Sequence, residues 1–167
     1  MSLFMLRGKG EAWWLPTVAS DSGPTEAEVA AGIKLGAAFN AIQGLDPKRN
    51  PINVPVLKYK EELQIEGPTT YENVSVTLVE DDGTGVDADA LERQATLTTM
   101  AEGSDGVLFL CRTGKTAAVA TKGHMIRAEV ASQVPNFDMG ATTATTQVNL
   151  SPSSPLFAVT VQAPAAP

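Results

Sequence analysis

Apolar and polar positions alternate along much of the chain with a period of two, which is typical of a half-buried β-strand. The alternation is clearest over residues 73–80 and 126–134. A continuous apolar run follows residue 106, at 107–112, and shorter candidate strands lie at 11–15, 38–43, 56–59, 63–65, 145–150 and 156–162. The pattern therefore predicts a chain made mostly of short strands.

A short helical turn is predicted between Thr25 and Ala31. Thr25 with Glu28 has the spacing of a capping box, in which each side chain satisfies a backbone N–H at the helix start. Gly32 follows, and we expect it to end the helix in the left-handed conformation.

The one longer helix is predicted from about Ala88 to Ala101. Asp87 or Asp89 can cap it, and Asp89 with Glu92 repeats the capping-box spacing. Gly103 closes the helix. A narrow stripe of small and apolar side chains predicts the face that packs on a sheet from outside, namely Leu91, Ala95 and Thr98, with Leu97 and Ala101 beside it.

One such helix among many strands predicts a mainly β domain with a sandwich or open-barrel architecture. We expect a single domain over residues 1–167, because a chain of this length can bury a core without metals or disulfides. Flexible segments are predicted as an N-terminal arm at 1–10, a long Pro-containing loop at 44–55 and an Ala/Pro tail at 163–167.

Charge argues against a protein that grips nucleic acid. The chain has 12 Lys and Arg against 19 Asp and Glu, a formal net charge of −7, whereas phosphate binding needs clustered cations. A weakly repulsive wall would suit a protein that nucleic acid slides past. The N-terminus lacks the order of a signal peptide, so we expect folding in a cytoplasm.

Candidate chemistry is sparse, and we predict no catalytic, metal-binding or cofactor-binding residues. His124 is the sole histidine and Cys111 the sole cysteine, too few for a zinc site or a disulfide. Cys111 is expected to be a buried thiol. Asp81 and Asp82 lack the calcium-loop pattern and are expected to form a solvated turn. The inventory does not favour an enzyme.

Three segments together resemble the major tail tube proteins of long-tailed (siphovirus) bacteriophages, particularly those of actinobacteria. They are residues 24–32, residues 67–80 ending in Asp81-Asp82, and the run from Arg127 to Asn149. The resemblance rests on segment order and composition over most of the chain. It implies two packed antiparallel sheets with one flanking helix.

The resemblance also implies a function in the virion. Copies would form hexameric rings that stack into a hollow tube for the genome, with strands of neighbouring copies joined into an inner β-barrel. The implied partners are further copies, a tape measure protein and tail-tip or terminator proteins, while DNA passes without specific binding. No cofactor and no membrane are implied.

Two sets of residues are candidates for these contacts. The loop 44–55 is expected to reach between rings, through Leu45, Asp46, Lys48, Arg49 and Asn50. Either the polar face of the strand with Ser75 and Thr77 or that of the strand with Arg127 and Glu129 is expected to line the lumen. The sequence leaves the choice between these two strands open.

Other functions remain as alternatives. Related ring-forming proteins include tail terminators, neck proteins and secretion tube subunits of the Hcp type. A binding module for a carbohydrate or peptide would use Trp13 and Trp14 as its platform. Adjacent strand residues face opposite ways, so we expect one tryptophan to be buried and the other to lie at an interface.

Overall fold

The computed structural model describes residues 10–54, 63–112, 118–137 and 143–163. Within them the elements are β1 Glu11–Leu15, α1 Glu26–Ala31, β2 Ile33–Lys34, β3 Phe39–Gln43, β4 Lys48–Arg49, β5 Ile52–Val54, β6 Leu63–Ile65, β7 Thr69–Thr70, β8 Ser75–Val79, α2 Ala88–Thr99, β9 Asp105–Cys111, β10 Lys122–Asn136, β11 Thr145–Pro152 and β12 Phe157–Thr160. The predicted arm 1–10, except Gly10, the predicted strand 56–59 and tail residues 164–167 lie outside the described residues.

The main sheet has the strand order β2-β1-β9-β10-β11-β8-β3, with β12 also paired to β10, and its strand pairs are antiparallel. β10 is 15 residues long and belongs to two layers. Its first half pairs with β9 and β12, and its second half pairs with β11. We call β2, β1, β9, residues 122–129 and β12 the central sheet. β3, β8, β11 and residues 130–136 are the polar sheet.

The first core lies between the two sheets. It contains Trp14, Leu108 and Ile126 from the central sheet, and Val76 and Val148 from the polar sheet. Alternation along each strand places every second side chain in this core. The fold class predicted from the sequence, a mainly β chain with packed antiparallel sheets, is confirmed.

A second core covers the other face of the central sheet. Trp13, Phe109 and Met125 are buried there beneath Val29 of α1 and Val161 near the carboxyl terminus. Trp13 and Trp14 are only 3% and 2% exposed. We expected one of them to be buried and the other to lie at an interface, whereas both are buried within the subunit. The reason is that α1 and the segment around Val161 cover the second face of the central sheet.

The capping box predicted for α1 is confirmed. The Thr25 hydroxyl accepts a hydrogen bond from the Glu28 backbone N–H at 3.3 Å, and the Glu28 carboxylate accepts one from the Thr25 N–H at 2.7 Å. Gly32 ends the helix, but its φ is −82°, so the predicted left-handed conformation is wrong. Gly32 is needed for space, since a Cβ there would lie 2.3 Å from Leu15 Cδ2.

α2 begins at the N-cap Asp87, whose carboxylate accepts a hydrogen bond from the Ala90 N–H at 2.8 Å. Glu92, predicted to complete a capping box, instead accepts a hydrogen bond from the Ala37 N–H at 2.8 Å. That contact ties the helix to the turn between β2 and β3. The helix thereby closes one end of the first core, where Met100 is fully buried.

The predicted apolar stripe of α2 is wrong. Leu91 is 54% exposed, and Ala95, Thr98 and Ala101 are exposed as well. The buried helix positions are Ala90 and Thr96, with Leu97 partly buried against the first core. Hydrogen bonds to Asp81 and Glu92 orient this helix, and they outweigh the spacing of a few apolar residues.

The segment between β3 and β8 forms two short strand pairs that are separate from the main sheet. β4 pairs with β7 and β5 pairs with β6, both antiparallel. We call the described residues of the segment 45–72 the hairpin; residues 55–62 lie outside the described residues. The segment 44–55, expected to be a loop, thus contains two short strands, because a partner segment that pairs with it lies further along the chain.

Candidate assembly interface

Both edges of the polar sheet are paired on one side only within the described residues. β3 pairs with β8, and residues 131–136 of β10 pair with β11. The other side of β10 is occupied up to Val130, whose N–H donates to Ser104 O at 2.9 Å and whose C=O accepts from the Gly103 N–H at 2.8 Å. Unpaired strand edges are templates for pairing with another chain.

Each of these two edges carries a β-bulge. The register shifts between Phe39 and Ala41 in β3, and between Val130 and Ser132 in β10. β10 also contains Pro135, which cannot donate a backbone hydrogen bond and is tolerated in edge strands. Bulges and proline limit indiscriminate edge pairing, so these edges favour a defined partner.

The face of the polar sheet that points away from the first core is rich in hydroxyl and amide groups. Its strand positions include Gln43, Ser75, Thr77, Ser132, Asn136, Thr145, Gln147 and Asn149. The Asn149 amide donates to the Ser132 hydroxyl at 2.9 Å, and the Gln147 amide donates to Asn149 Oδ1 at 3.1 Å. These described positions include no lysine or arginine, so the face is polar and free of cations.

The two strands between which the sequence left the lumen assignment open share this one sheet. Thr77 is half-buried on its outer face, whereas Ser75 is only 4% exposed and presents little surface. Glu129 is exposed where the central and polar sheets meet. Of the two alternatives, the face with Thr77 belongs to the polar sheet, and Glu129 lies at the border of that sheet with the central sheet.

Arg127 is engaged elsewhere. Its guanidinium donates to Asp21 Oδ1 at 2.9 Å and to Val18 O at 3.0 Å. These contacts fasten the segment before α1 over the second core. Arg127 thus has a structural contact within the subunit.

The hairpin presents both charged and apolar side chains. Lys48 pairs with Glu72 at 2.5 Å and Arg49 with Glu66 at 2.7 Å, and all four side chains are at least half exposed. Such exposed pairs contribute about 0–1 kcal/mol each.

The exposed apolar residues of the hairpin face each other across the strands. Ile52 lies opposite Ile65, and the two are 48% and 52% exposed. Of the other predicted contact residues, Asp46 and Asn50 are exposed, while Leu45 packs partly against the first core. Leu45 therefore anchors the base of the hairpin.

The two carboxylates after β8 have structural contacts. Asp81 accepts hydrogen bonds from Gln94 Nε2 at 2.9 Å and Arg93 at 3.1 Å, which orient α2. The hydrogen bonds from Gln94 and then Arg93 hold the pKa of Asp81 below its usual value. Asp82 accepts from the Thr84 hydroxyl and N–H within the turn, and these bonds lower its pKa too.

In the described parts of the chain, no group of three or more His, Cys, Asp or Glu side chains is placed to hold a metal ion. His124 is half-buried in β10, and Cys111 is buried in the second core. The same residues include no helix long and apolar enough to cross a membrane.

Comparison with known sequence families decides the identity of the chain. The profile of the family described as phage tail tube protein matches residues 2–166. The chain belongs to the phage tail tube protein family. No curated protein matches its sequence.

Solved structures similar to this tail tube protein include chains of an anti-feeding prophage and of an extracellular contractile injection system. A chain of the anti-feeding prophage baseplate, 6-fold symmetrised, has a TM-score of 0.55 at 9% identity, covering 96% of this chain and 99% of that chain. A chain of the sheath/tube terminator of an extracellular contractile injection system in the extended state has a TM-score of 0.53 at 11% identity, covering 94% and 97%. A chain of the extended sheath-tube complex has a TM-score of 0.52 at 14% identity, covering 92% and 89%. At these identities the likeness shows a shared fold.

The fold also bears on the binding-module alternative. A platform for a carbohydrate or peptide needs an accessible aromatic face, whereas Trp13 and Trp14 are both buried. These two tryptophans cannot form such a platform in this tail tube protein.

Proposed function

We propose that this tail tube protein is the repeating subunit of the tube of a long-tailed phage. Copies join through the edges of their polar sheets into hexameric rings, the rings stack, and the genome passes through the bore. The observation that carries the proposal is the pair of singly paired edges, β3 and residues 131–136, on opposite sides of one four-stranded sheet.

The even number of strands makes this association geometrically simple. Neighbouring strands in the polar sheet run antiparallel, so β3 and β10 run in opposite directions. When copies are related by rotation about a common axis, β10 of one copy meets β3 of the next in antiparallel orientation. A repeated head-to-tail contact of this kind closes into a ring when the rotation permits it.

The proposal of six copies in each ring rests on the family resemblance. A similar chain in a 6-fold symmetrised baseplate is consistent with it. A closed ring would pair both edges of each polar sheet, which removes the aggregation hazard that these two free edges create. In the ring, the backbone groups at both edges of the polar sheet would therefore have hydrogen-bond partners.

The outer face of the polar sheet would line the bore. Its hydroxyl and amide groups hydrate well and carry no positive charge to hold phosphates. Thr77 is the candidate residue that lies on this face, and Gln147 is a further exposed residue of it. Glu129 lies at the border of this face with the central sheet. Arg127 and Ser75 do not contribute, because Arg127 is paired with Asp21 and Ser75 is buried.

The hairpin would make the contacts between stacked rings. It stands apart from the main sheet and presents Lys48, Arg49 and the Ile52–Ile65 pair. Apolar pairs surrounded by charged residues are common at protein interfaces. The N-terminal arm 1–10 is a second candidate for this contact.

In the virion this role is structural and non-catalytic. A tape measure protein and tail-tip or terminator proteins would be the other partners, and assembly would take place in the host cytoplasm. These partners follow from the resemblance to tail tube proteins of long-tailed phages.

Electron microscopy of the purified protein in negative stain tests the proposal. Protein is concentrated stepwise and imaged, while light scattering follows its mass. Rings and hollow tubes are expected. A particle that stays monomeric at every concentration up to the solubility limit would refute the proposed assembly.

A terminator role is the second candidate, because similar solved chains include a sheath/tube terminator and a tube terminating cap. A terminator has to form a ring that does not accept another ring of its own kind. Single rings without tubes, even at high concentration, would favour this alternative over a tube subunit.

A further inference from the structure

Hydrogen-bond directions reveal which backbone groups the edge of β10 offers to a partner. The Leu150 N–H donates to Val74 O at 2.8 Å. The backbone N–H and C=O groups of even-numbered residues of β11 therefore point toward β8, and those of odd-numbered residues point toward β10. In an antiparallel ladder, hydrogen-bonded and non-hydrogen-bonded pairs alternate. The backbone groups of Val134, opposite Gln147, therefore bond to β11. The backbone groups of Gln133 and Pro135 point away from β11, toward the open edge.

The outward side of this edge is short of donors. Gln133 offers both an N–H and a C=O, whereas Pro135 offers only a C=O. Nearer the start of the strand, Val130 is satisfied by Gly103 and Ser104. The edge thus presents one residue, Gln133, that can both donate and accept a backbone hydrogen bond, followed by Pro135, which can only accept one.

The edge of β3 can be read in the same way. The Val79 N–H donates to Ala38 O at 2.7 Å, so odd-numbered residues of β8 point toward β3. Ala41, opposite Thr77, is then hydrogen-bonded to β8, whereas Ile42, opposite Val76, points outward. This edge also presents one complete pairing position, next to the bulge at Asn40.

We propose that in the ring Gln133 of one copy pairs with Ile42 of the next copy and exchanges both backbone hydrogen bonds with it. This register rests on the edge-to-edge assembly proposed above and specifies it residue by residue. Val134 then lies opposite Ala41, and Pro135 lies opposite Asn40.

This register leaves fewer backbone N–H and C=O groups without a partner than registers shifted by two residues in either direction. Pro135 faces the bulge residue Asn40, so the missing N–H falls where the bulge already interrupts the ladder. Shifting the copies by two residues one way would set Pro135 opposite Ile42 and leave the Ile42 C=O without a donor. Shifting them the other way would move Gln133 onto the bulge.

Side chains agree with this pairing. Val134 and Ala41 both lie on the outer face of the polar sheet, and Val134 is 50% exposed in the single subunit. In the proposed register these two apolar residues cover each other. The shifted register would place Val134 opposite the exposed Gln43.

Cysteine cross-linking tests the register directly. Val134 and Ala41 would form a non-hydrogen-bonded pair, with Cα atoms about 4.5 Å apart, which lies within the range that a disulfide spans. The variant Val134→Cys with Ala41→Cys is assembled under reducing conditions and then oxidised. The matched control is Val134→Cys with Gln43→Cys, which reports the register shifted by two residues.

We expect little cross-linking through the native thiol of Cys111. Cys111 is 2% exposed, and burial, followed by the nearby Glu11 carboxylate, raises its pKa to about 11. Single variants carrying only Val134→Cys or only Ala41→Cys are also mixed in equal amounts. If the double variant fails to assemble, this mixture supplies the same pair at alternate junctions.

We expect a ladder of covalent multimers on non-reducing gels, ending at the copy number of the ring, from the 134/41 pair and at least tenfold less from the 134/43 control. Cross-linking of the 134/43 pair instead, or of neither pair in rings seen by microscopy, overturns the register while leaving the ring assembly standing. Wild-type protein that forms no rings overturns both proposals.

Discussion

Trp13 and Trp14 are neighbours in β1, yet they are buried in two different cores. Trp13 stacks at a tilt against Phe109, with ring centroids 5.6 Å apart. Trp14 packs over Gly106, where a Cβ would lie 2.3 Å from the indole Cε2. One five-residue strand therefore joins the core between the sheets to the core beneath α1.

Replacing Trp14 should destabilise the fold strongly. Trp14→Ala removes a large buried side chain and leaves a cavity, so we expect the free energy of unfolding to fall by about 3–5 kcal/mol. Gly106→Ala should cost about 1–3 kcal/mol, because the added methyl group collides with the indole. Urea unfolding followed by tryptophan fluorescence, or by circular dichroism for Trp14→Ala, measures both. Ala158→Ser, at an exposed strand position, is the control and should change stability by less than about 0.5 kcal/mol. A loss below about 1 kcal/mol for Trp14→Ala would contradict its place in the first core.

Glu28 should make stability depend on pH. Burial alone would raise the pKa of its carboxyl, but hydrogen bonds from Thr25 and Ala19 outweigh this and lower the pKa overall. A carboxyl whose pKa is lower in the folded state than in the unfolded state stabilises the fold above the unfolded pKa, and this contribution is lost as the pH falls through the folded pKa.

Comparison with Glu28→Gln isolates that contribution. Wild-type protein should lose stability more steeply than Glu28→Gln as the pH drops below about 4.5. Because glutamine can also complete a capping box, wild-type protein should be the more stable one at pH 7 by only about 0.3–1 kcal/mol, the effect of a negative charge near a helix N-terminus. Urea midpoints measured from pH 7 to pH 3 give the two curves. Parallel curves would show that the hydrogen bonds to Glu28 do not stabilise the folded state.

Asp81 should hold α2 in place. Asp81→Asn removes the charge that receives hydrogen bonds from Gln94 and Arg93, so we expect faster amide hydrogen exchange across residues 88–99 at neutral pH. Asp82→Asn is the matched control, since the Asp82 carboxylate accepts hydrogen bonds from Thr84 within the turn and the described residues show none to it from α2. Because the pKa of Asp81 is lowered, its contribution should disappear in wild-type protein as the pH falls through that lowered value. Equal exchange rates in both variants would rule out Asp81 as the anchor.

The hairpin should be needed for stacking but not for folding. Lys48 pairs with Thr70, so residues 47 and 71 also lie opposite each other, and an Asn-Gly turn can replace residues 48–70. This change keeps Tyr71, whose hydroxyl accepts a hydrogen bond from the Leu156 N–H at 2.9 Å. We expect a folded protein that forms single rings and no tubes, as seen by microscopy and circular dichroism.

A pair of milder variants separates the apolar contact from the rest of the hairpin. Ile52→Ser with Ile65→Ser should raise the protein concentration needed for tubes, because it removes exposed apolar surface only from the hairpin. Val86→Ser with Leu91→Ser removes exposed apolar surface elsewhere and should leave that concentration unchanged. Tubes formed by the shortened chain at the wild-type concentration would show that stacking does not use the hairpin.

Local patterns in the sequence determined most of the elements. Alternation predicted β8 and β10, and the spacing of Thr25 and Glu28 predicted the capping box of α1, because these signals depend on residues within one turn or one strand. The scarcity of histidine and cysteine could also be read directly. The two-residue strands β2, β4 and β7 were missed, since so short a segment is defined by its partner and has no pattern of its own.

Tertiary structure alone decided the contacts that connect these elements. The orientation of α2 is set by hydrogen bonds of Asp81 and Glu92 to groups that are distant in sequence, and the apolar spacing of the helix pointed to the wrong side. Trp13 is buried as Trp14 is, because α1 folds over the second face of the central sheet. The sequence could not distinguish the strand of Thr77 from that of Glu129 as a lining surface. Strand order, which depends on pairing between residues distant in the chain, joins both of them to one sheet with two open edges.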